Sequence, residues 1–178
     1  MGAMVDSARE GHLCFSRMNS PVLRVLFVCT GNTCRSPMAA GALRKELGEE
    51  SARVDTSSAG TAAWEDQPAT PEAIAVAGAD GVDLSAHRSR RVTPAALRRA
   101  DLVLVMESGH VGTVQALGAD ASRTHVLNEW PEPGETGLPV ADPFGASREA
   151  YEECWRRIVR HVKRLVPHVR EALRTRSM

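Results

Sequence analysis

Two short runs of aliphatic side chains constrain the fold more than any other feature. Residues 22–28 read VLRVLFV and residues 102–106 read LVLVM, so apolar side chains follow one another with little polar alternation. A strand of that composition is buried on both faces, which is typical of the centre of a parallel sheet. The two runs therefore predict an α/β fold with three layers.

Helix-forming segments alternate with these runs. Three Ser/Thr–Pro pairs combine an N-cap residue with a proline in the first turn, which indicates a helix start: Ser36-Pro37, Thr70-Pro71 and Thr93-Pro94. Further strands are predicted over residues 54–57 and 124–127, and further helices over 111–117 and 151–173, with a kink or break at Pro167. The order predicts a doubly wound, four-stranded parallel sheet with helices on both faces, and a ligand site beyond the carboxyl ends of its strands.

The size of the chain fits one domain. It has 178 residues, of which 43% are hydrophobic and 25% charged, as in an ordinary globular protein. Residues 1–20 mix small, polar and charged types without periodicity. We expect a disordered extension or a cloning remnant there, and a single domain over residues 21–178.

The charge pattern gives no sign of a nucleic-acid or membrane partner. The 22 Lys and Arg residues equal the 22 Asp and Glu residues in number, so no long-range field gathers a charged partner. The first twenty residues are too polar for a signal peptide, and no apolar run approaches the ~20 residues that span a bilayer. We expect a cytoplasmic monomer that needs no cofactor.

The segment between the first strand and the first helix is the candidate site. Residues 29–36 read CTGNTCRS, and the backbone N–H groups at a helix amino end favour a phosphate-sized anion. Gly31 and Asn32 tolerate left-handed backbone, and Arg35 offers a fork of donors to the same anion. These donors also stabilise a thiolate, so we expect the pKa of Cys29 to fall to roughly 3.5–7.5. The segment predicts a cysteine nucleophile aimed at phosphorus.

Packing, zinc binding and nucleotide binding account for this segment less well. A lone buried cysteine often serves only in packing, but packing explains none of Gly31, Asn32 or Arg35. Structural zinc needs four ligands in short-spaced pairs, whereas Cys14 and Cys154 lie far away in sequence, so we expect no metal. A nucleotide-binding loop of the GxxxxGK[ST] type is excluded because no Lys-Ser or Lys-Thr follows a second glycine.

Four segments together carry a resemblance to a known family. They are VCTGNTCRSPM at residues 28–38, SAGT at 58–61, DLSAHRSR at 83–90 and DPFG at 142–145. Over about residues 22–172, the chain resembles the bacterial branch of the low molecular weight protein tyrosine phosphatases. The resemblance implies a phosphorylated protein as substrate and a phosphocysteine intermediate on Cys29, with Thr30, Gly31, Asn32, Thr33, Cys34 and Ser36 around the phosphate.

Attack by a thiolate leaves an anion that needs a proton from a second group. Asp142 is the candidate, because it lies in the long segment of residues 129–146 that follows the last strand. A lone Asp-Pro pair is usually only a turn former. The family resemblance implies that Asp142 acts as general acid and then as base for water, while Arg35 clamps the phosphoryl oxygens.

The resemblance also implies supporting residues and a pocket. Asn32, Ser58 and His87 match a hydrogen-bond network that supports the loop. Trp64 and Phe144 match positions that flank the substrate side chain, although core packing is an open alternative for Trp64. No role is assigned to the remaining histidines: His12, His110, His125, His161 and His168.

Thr33 bears on the substrate. In bacterial relatives a threonine at this position accompanies protein arginine phosphatase activity, so the resemblance favours phosphoarginine, with phosphotyrosine as the alternative. A third possibility is that Thr33 only completes the loop and does not determine the substrate.

Arsenate reductases share the loop but need a cysteine pair that residues 81–92 lack. A non-catalytic binding module would not need Cys29, Arg35 and Asp142 together. Cys29 and Cys34 lie close enough in sequence for a regulatory disulfide, which the resemblance favours.

Overall fold

The computed structural model describes residues 22–130 and 139–176, and the predicted extension over residues 1–20 lies outside them. Within the described residues, the strands and helices follow one another in this order: β1 (Leu23–Cys29), α1 (Arg35–Leu47), β2 (Val54–Gly60), α2 (Pro71–Ala79), α3 (Pro94–Arg99), β3 (Leu102–Val105), α4 (Gly109–Ala116), β4 (Thr124–Val126) and α5 (Arg148–Thr175). Short 3-10 turns occupy Gly48–Arg53 and Ala121–Arg123.

All neighbouring strands of the sheet run parallel, in the order β2-β1-β3-β4. The predicted four-stranded parallel sheet is confirmed. In the register of the first pair, Cys29 lies opposite Gly60, so β1 and β2 end side by side. The loop that follows β1 therefore begins at the carboxyl edge of the sheet, where parallel sheets place their ligand sites.

Apolar side chains of β1 enter two separate cores. Leu23, Val25 and Phe27 pack on one face with residues of α1, α2 and α5. Leu26 and Val28 pack on the other face with residues of α3 and α4. Burial on both faces explains why the run at residues 22–28 lacks polar alternation. The three predicted layers are confirmed.

Two of the three predicted helix caps are confirmed. The side chains of Thr70 and Thr93 accept hydrogen bonds from the backbone three residues later, and a proline follows each. The third prediction is wrong, because α1 begins at Arg35 and Ser36 lies inside the helix. The Ser36 hydroxyl instead contacts Cys29 and Asn32, so it serves the loop rather than the helix end.

The last helix is longer than its apolar pattern predicts. It runs from Arg148 to Thr175 without a break at Pro167, so the predicted break does not occur. Buried residues on both sides of the proline, Val162 and Val169 among them, hold the helix on the sheet. That burial outweighs the one backbone hydrogen bond that proline removes. In the part of the chain that the structure describes, no helix is both long and apolar enough to cross a bilayer.

Candidate active site

The loop after β1 curls around the sulfur of Cys29. The backbone N–H of Asn32 donates to Cys29 Sγ at 3.2 Å, and Ser36 Oγ lies 3.0 Å from the same sulfur. Asn32 adopts a φ of 57°, in the left-handed region that asparagine tolerates. The backbone of Gly31 does not adopt a positive φ. The left-handed residue of the curl is thus Asn32.

Asn32 connects the loop to two neighbouring segments. Its side-chain amide donates to Ser36 Oγ and to Ser58 Oγ, both at 2.9 Å. Its side-chain oxygen accepts from the backbone N–H of Arg90 at 2.9 Å, and its carbonyl accepts from His87 Nε2 at 2.6 Å. Every polar group of the buried Asn32 side chain has a partner, so the loop is held rigidly. The structure brings Ser58 and His87 to the positions around the loop that the resemblance implied.

Arg35 is buried and faces the segment that precedes α5. Its Nη2 is bound to Asp142 Oδ2, and its Nη1 donates to the carbonyl of Val140 at 3.4 Å. Glu107 Oε2 lies 3.6 Å from Nη1. Asp142 Oδ1 accepts from the backbone N–H of Phe144 at 3.1 Å, which fixes the turn that presents the carboxylate. Cys29, Arg35 and Asp142 therefore meet in one place.

A cavity of about 520 Å³ opens above the loop. Its lining includes Cys29, Thr30, Gly31, Thr33, Cys34, Arg35, Asp142, Trp64 and Phe144. Asn32 and Ser36 are not part of this lining; their side chains are buried behind the loop. Trp64 is 81% exposed and Phe144 is 70% exposed, so Trp64 does not pack in the core. Two exposed aromatic rings at the rim of this cavity are suited to a flat substrate group.

Burial has the largest effect on the pKa of Cys29. It raises the pKa of the thiol, whereas hydrogen bonds from Ser36 and Asn32 and the charge of Arg35 lower it, with a net shift upward. The lowered pKa predicted from the sequence is therefore wrong for this conformation. The physical reason is that Cys29 is only 3% exposed, and the donors that reach its sulfur do not compensate for the lost hydration.

The chain matches one protein family over most of its length. The family model "Low molecular weight phosphotyrosine protein phosphatase" matches residues 24–175. The chain belongs to this family. Phosphatase activity is therefore the activity of its family, and the resemblance drawn from the four sequence segments is confirmed.

Some relatives in the family are named as tyrosine phosphatases and others as arginine phosphatases. A probable low molecular weight protein-tyrosine-phosphatase, EpsP of Ralstonia nicotianae, is 36% identical over 147 residues, which cover 82% of this chain and 95% of the relative. A protein-arginine-phosphatase of Geobacillus stearothermophilus is 39% identical over 129 residues, which cover 72% of this chain and 83% of the relative. The solved structure of a YwlE arginine phosphatase mutant with a phosphorylated active-site serine matches with a TM-score of 0.78 and 29% identity. The match covers 86% of this chain and 99% of that one.

Sequence reasoning missed two residues beside the loop. His110 Nε2 lies 2.9 Å from Thr30 Oγ1 and 3.2 Å from Glu107 Oε1, while Glu107 also approaches Arg35. The sequence pattern gives His110 no role, yet this histidine connects the start of the loop with a carboxylate near the arginine. A signal was present, because Glu107 and His110 follow the carboxyl end of β3 directly.

Gly60 was also missed, although it lies within one of the family segments. A side chain at this position would overlap the carbonyl oxygen of Thr30 and lie 3.0 Å from the backbone nitrogen of Asn32. The loop thus packs directly against the end of β2. Only glycine permits this approach, since any Cβ would push the loop outward.

The cysteines of the described residues form neither a disulfide nor part of a metal site. Cys29, Cys34 and Cys154 are free thiols, and Cys34 Sγ lies 3.3 Å from the hydroxyl of Tyr151. Burial raises the pKa of Tyr151, so its hydroxyl is a neutral hydrogen-bond partner for Cys34. Across residues 22–130 and 139–176, no group of three or more His, Cys, Asp or Glu side chains is arranged to hold a metal ion. A Cys29–Cys34 disulfide stays a prediction.

Proposed function

We propose that the chain removes phosphoryl groups from proteins through a phosphocysteine on Cys29, and that phosphoarginine is its favoured substrate. One observation carries the reaction: Cys29, Arg35 and Asp142 line a single cavity. Nucleophile, anion clamp and proton donor are the three groups that the transfer of a phosphoryl group to sulfur requires.

In the first half-reaction, Cys29 Sγ attacks phosphorus and the bond from phosphorus to the leaving nitrogen or oxygen breaks. The thiol is neutral before attack because burial raises its pKa, so its proton passes to an oxygen of the bound phosphoryl dianion. Asp142 gives its carboxyl proton to the leaving group. Arg35 and the loop N–H groups neutralise the charge on the phosphoryl oxygens.

In the second half-reaction, water attacks the phosphorus of the phosphocysteine. Asp142, now a carboxylate, takes a proton from that water, and the bond between sulfur and phosphorus breaks. The proton held on the phosphoryl oxygen returns to the sulfur as inorganic phosphate leaves, so both the thiol and the carboxyl group are restored. The hydroxyl of Ser36, 3.0 Å from Cys29 Sγ, donates a hydrogen bond to the departing sulfur. The phosphorylated active-site serine of the YwlE mutant supports phosphoryl transfer to the nucleophile's position in this family.

Phosphoarginine is favoured by Thr33. This residue lines the cavity next to Cys34, and its hydroxyl lies 3.7 Å from Cys34 Sγ. A small side chain with a hydroxyl leaves room beside the loop and offers a hydrogen bond near the incoming water, whereas an aliphatic side chain offers neither. Similarity to arginine phosphatases in sequence and in structure supports the same preference.

Phosphotyrosine is the second candidate, and the aromatic rim favours it. Trp64 and Phe144 expose their rings at the mouth of the cavity, where they could stack against a phenyl ring. Relatives named as tyrosine phosphatases support this alternative. The planar guanidinium of phosphoarginine also stacks on aromatic faces, so the rim alone does not separate the two substrates.

Initial rates on two peptides of identical sequence, one with phosphoarginine and one with phosphotyrosine, test the proposal. We expect a higher kcat/KM for the phosphoarginine peptide and release of inorganic phosphate from both. A higher kcat/KM for phosphotyrosine would replace the first candidate with the second. Failure to hydrolyse either peptide or para-nitrophenyl phosphate, by a protein that still binds vanadate, would leave a phosphoprotein-binding module instead.

A further inference from the structure

A second cavity, of about 370 Å³, adjoins the residues that support the loop. It lies among α1, β2 and the segment of residues 83–90, and its lining includes three arginines, Arg44, Arg88 and Arg90, together with His87. Two carboxylates, Asp55 and Asp83, line it as well. This cavity shares no lining residue with the one above Cys29. It is a separate candidate site.

The three arginines are fixed by backbone carbonyls rather than by carboxylates. Arg44 donates to Thr56 O at 3.1 Å, Arg88 to His87 O at 2.6 Å and to Ser85 O at 3.3 Å, and Arg90 to Ser58 O at 2.9 Å. Each bond uses one nitrogen of a guanidinium group that has five N–H donors. The groups are thus held in place while most of their donors are unused by these bonds.

The arginines of the cavity form no direct ion pair with a described carboxylate. Among the described residues, none of Arg44, Arg88 and Arg90 lies within 4.0 Å of a carboxylate, although Arg148, Arg156 and Arg170 each pair with a glutamate. The carboxylate of Asp83 accepts instead from the backbone N–H of Ser85 at 2.8 Å. Asp55 and Asp83 offset part of the charge of the three exposed arginines, and a bound anion would pair with the donors that these carboxylates leave unused.

The field of these arginines reaches His87. Burial lowers the pKa of His87, and the charges of Arg90, Arg44 and Arg88 lower it further, against the opposing effect of its bond to Asn32. The positive potential at His87, which lines the cavity, suits an oxyanion.

We propose that this cavity binds a small oxyanion with two or more negative charges, such as inorganic phosphate or pyrophosphate. Arg44, Arg88 and Arg90 hold its oxygens by charge-assisted hydrogen bonds. A volume of about 370 Å³ accommodates either anion. The proposal is independent of the reaction assigned to Cys29.

Binding at this site is linked to the catalytic loop through Asn32. Two residues of the cavity contact Asn32: His87 donates to its carbonyl, and the backbone N–H of Arg90 donates to its side-chain oxygen. An anion beside His87 offsets the charges that lower its pKa, so the pKa rises and the donor bond to Asn32 strengthens. The backbone N–H of Asn32 in turn donates to Cys29 Sγ.

Histidine resonances provide a test with one reporter for each site. His87 lines the second cavity and His110 lies beside Thr30 at the first, so ¹H–¹⁵N spectra of the full chain during titration with pyrophosphate follow both. We expect saturable shifts at both histidines. Arg88→Ala should weaken the affinity measured at His87 at least fivefold and leave the affinity measured at His110 unchanged. Inorganic phosphate should bind more weakly at His87 than pyrophosphate does, because it carries less charge.

Arg98→Ala is the matched control, because Arg98 is an exposed arginine at the end of α3 that lines neither cavity. It should change neither affinity, and circular dichroism should show native folding of both variants. Two results would overturn the proposal. One is equal pyrophosphate affinities at His87 and His110 in the unmodified protein, Arg88→Ala and Arg98→Ala, since His87 would then report only the catalytic loop. The other is the absence of a saturable shift at His87. If Arg88→Ala unfolds, Arg44→Gln supplies the same comparison.

Discussion

The carboxylate of Asp142 is bound to the guanidinium of Arg35, across 107 positions of the chain. Glu107 lies 3.6 Å from the same guanidinium, so two carboxylates face it. We expect a phosphoryl group that enters the loop to compete with both for the arginine donors. Binding of the substrate anion should then free Asp142 from Arg35, so that the proposed acid becomes available when a leaving group is present.

Replacement of the nucleophile should separate binding from turnover. In Cys29→Ser, the loop backbone and Arg35 are preserved, so we expect vanadate to bind while hydrolysis of para-nitrophenyl phosphate falls by at least ~10³-fold. Vanadate affinity can be measured by calorimetry and turnover by released nitrophenol. Turnover close to that of the unmodified protein would show that another group attacks phosphorus.

Replacement of the acid should depend on the leaving group. Asp142→Asn cannot donate a carboxyl proton, so kcat on a phosphotyrosine peptide should fall by roughly 10²-fold or more, within the range for general acid catalysis. On para-nitrophenyl phosphate the loss should be smaller, because nitrophenolate leaves with less protonation. Steady-state kinetics on both substrates give the comparison. Equal losses would indicate that Asp142 only orients Arg35.

The Ser36 hydroxyl should lower the pKa of Cys29. Its hydrogen bond is the largest of the effects that oppose burial, so Ser36→Ala should raise the thiol pKa further. At a given pH the thiolate fraction then falls, and the midpoint of the pH dependence of iodoacetamide alkylation moves to higher pH. Ser57→Ala, which removes a β2 hydroxyl bonded only weakly to Val25 O, is the control and should leave the midpoint in place. A midpoint that moves to lower pH would contradict the assignment.

Gly60 should tolerate no side chain. In Gly60→Ala the new methyl group meets the loop at Thr30 and Asn32, so we expect a loss of about 1–3 kcal/mol in the free energy of unfolding. We also expect at least a ~10-fold fall in kcat/KM, because the loop must shift. Gly112→Ala is the matched control. Gly112 lies in α4 with nothing within 4 Å of the added methyl, so stability should rise by about 0.5–1 kcal/mol with unchanged kinetics. Denaturant unfolding and initial rates measure both effects.

Thr33 should determine the preference between phosphorus–nitrogen and phosphorus–oxygen bonds. Thr33→Ile takes space and a hydroxyl from the phosphoarginine site and adds apolar contact for phosphotyrosine. The ratio of the two kcat/KM values should move toward phosphotyrosine by about tenfold, which corresponds to ~1.4 kcal/mol of transition-state stabilisation. Thr113→Ile, at an exposed position of α4, should leave the ratio unchanged. If the ratio is also unchanged in Thr33→Ile, Thr33 only completes the loop.

The features that the sequence alone predicted depend on interactions between residues that are close together in the chain. The continuous apolar runs at residues 22–28 and 102–106 predicted two strands of the parallel sheet, because burial on both faces leaves a direct trace in composition. The caps at Thr70 and Thr93 were readable because capping involves residues three apart. The strand, loop and helix around Cys29 and Arg35 were readable for the same reason, since the contacts that form them are short in sequence.

Only the tertiary structure decided which distant groups meet at the loop. Strand order places Gly60, Glu107 and His110 beside it, and the periodicity of a strand carries no information about its neighbours. The cavity among Arg44, Arg88 and Arg90 likewise forms from α1, β2 and a later segment. The direction of the Cys29 pKa shift also required the fold, because hydrogen-bond donors can be read from a motif, whereas burial depends on everything packed around the sulfur.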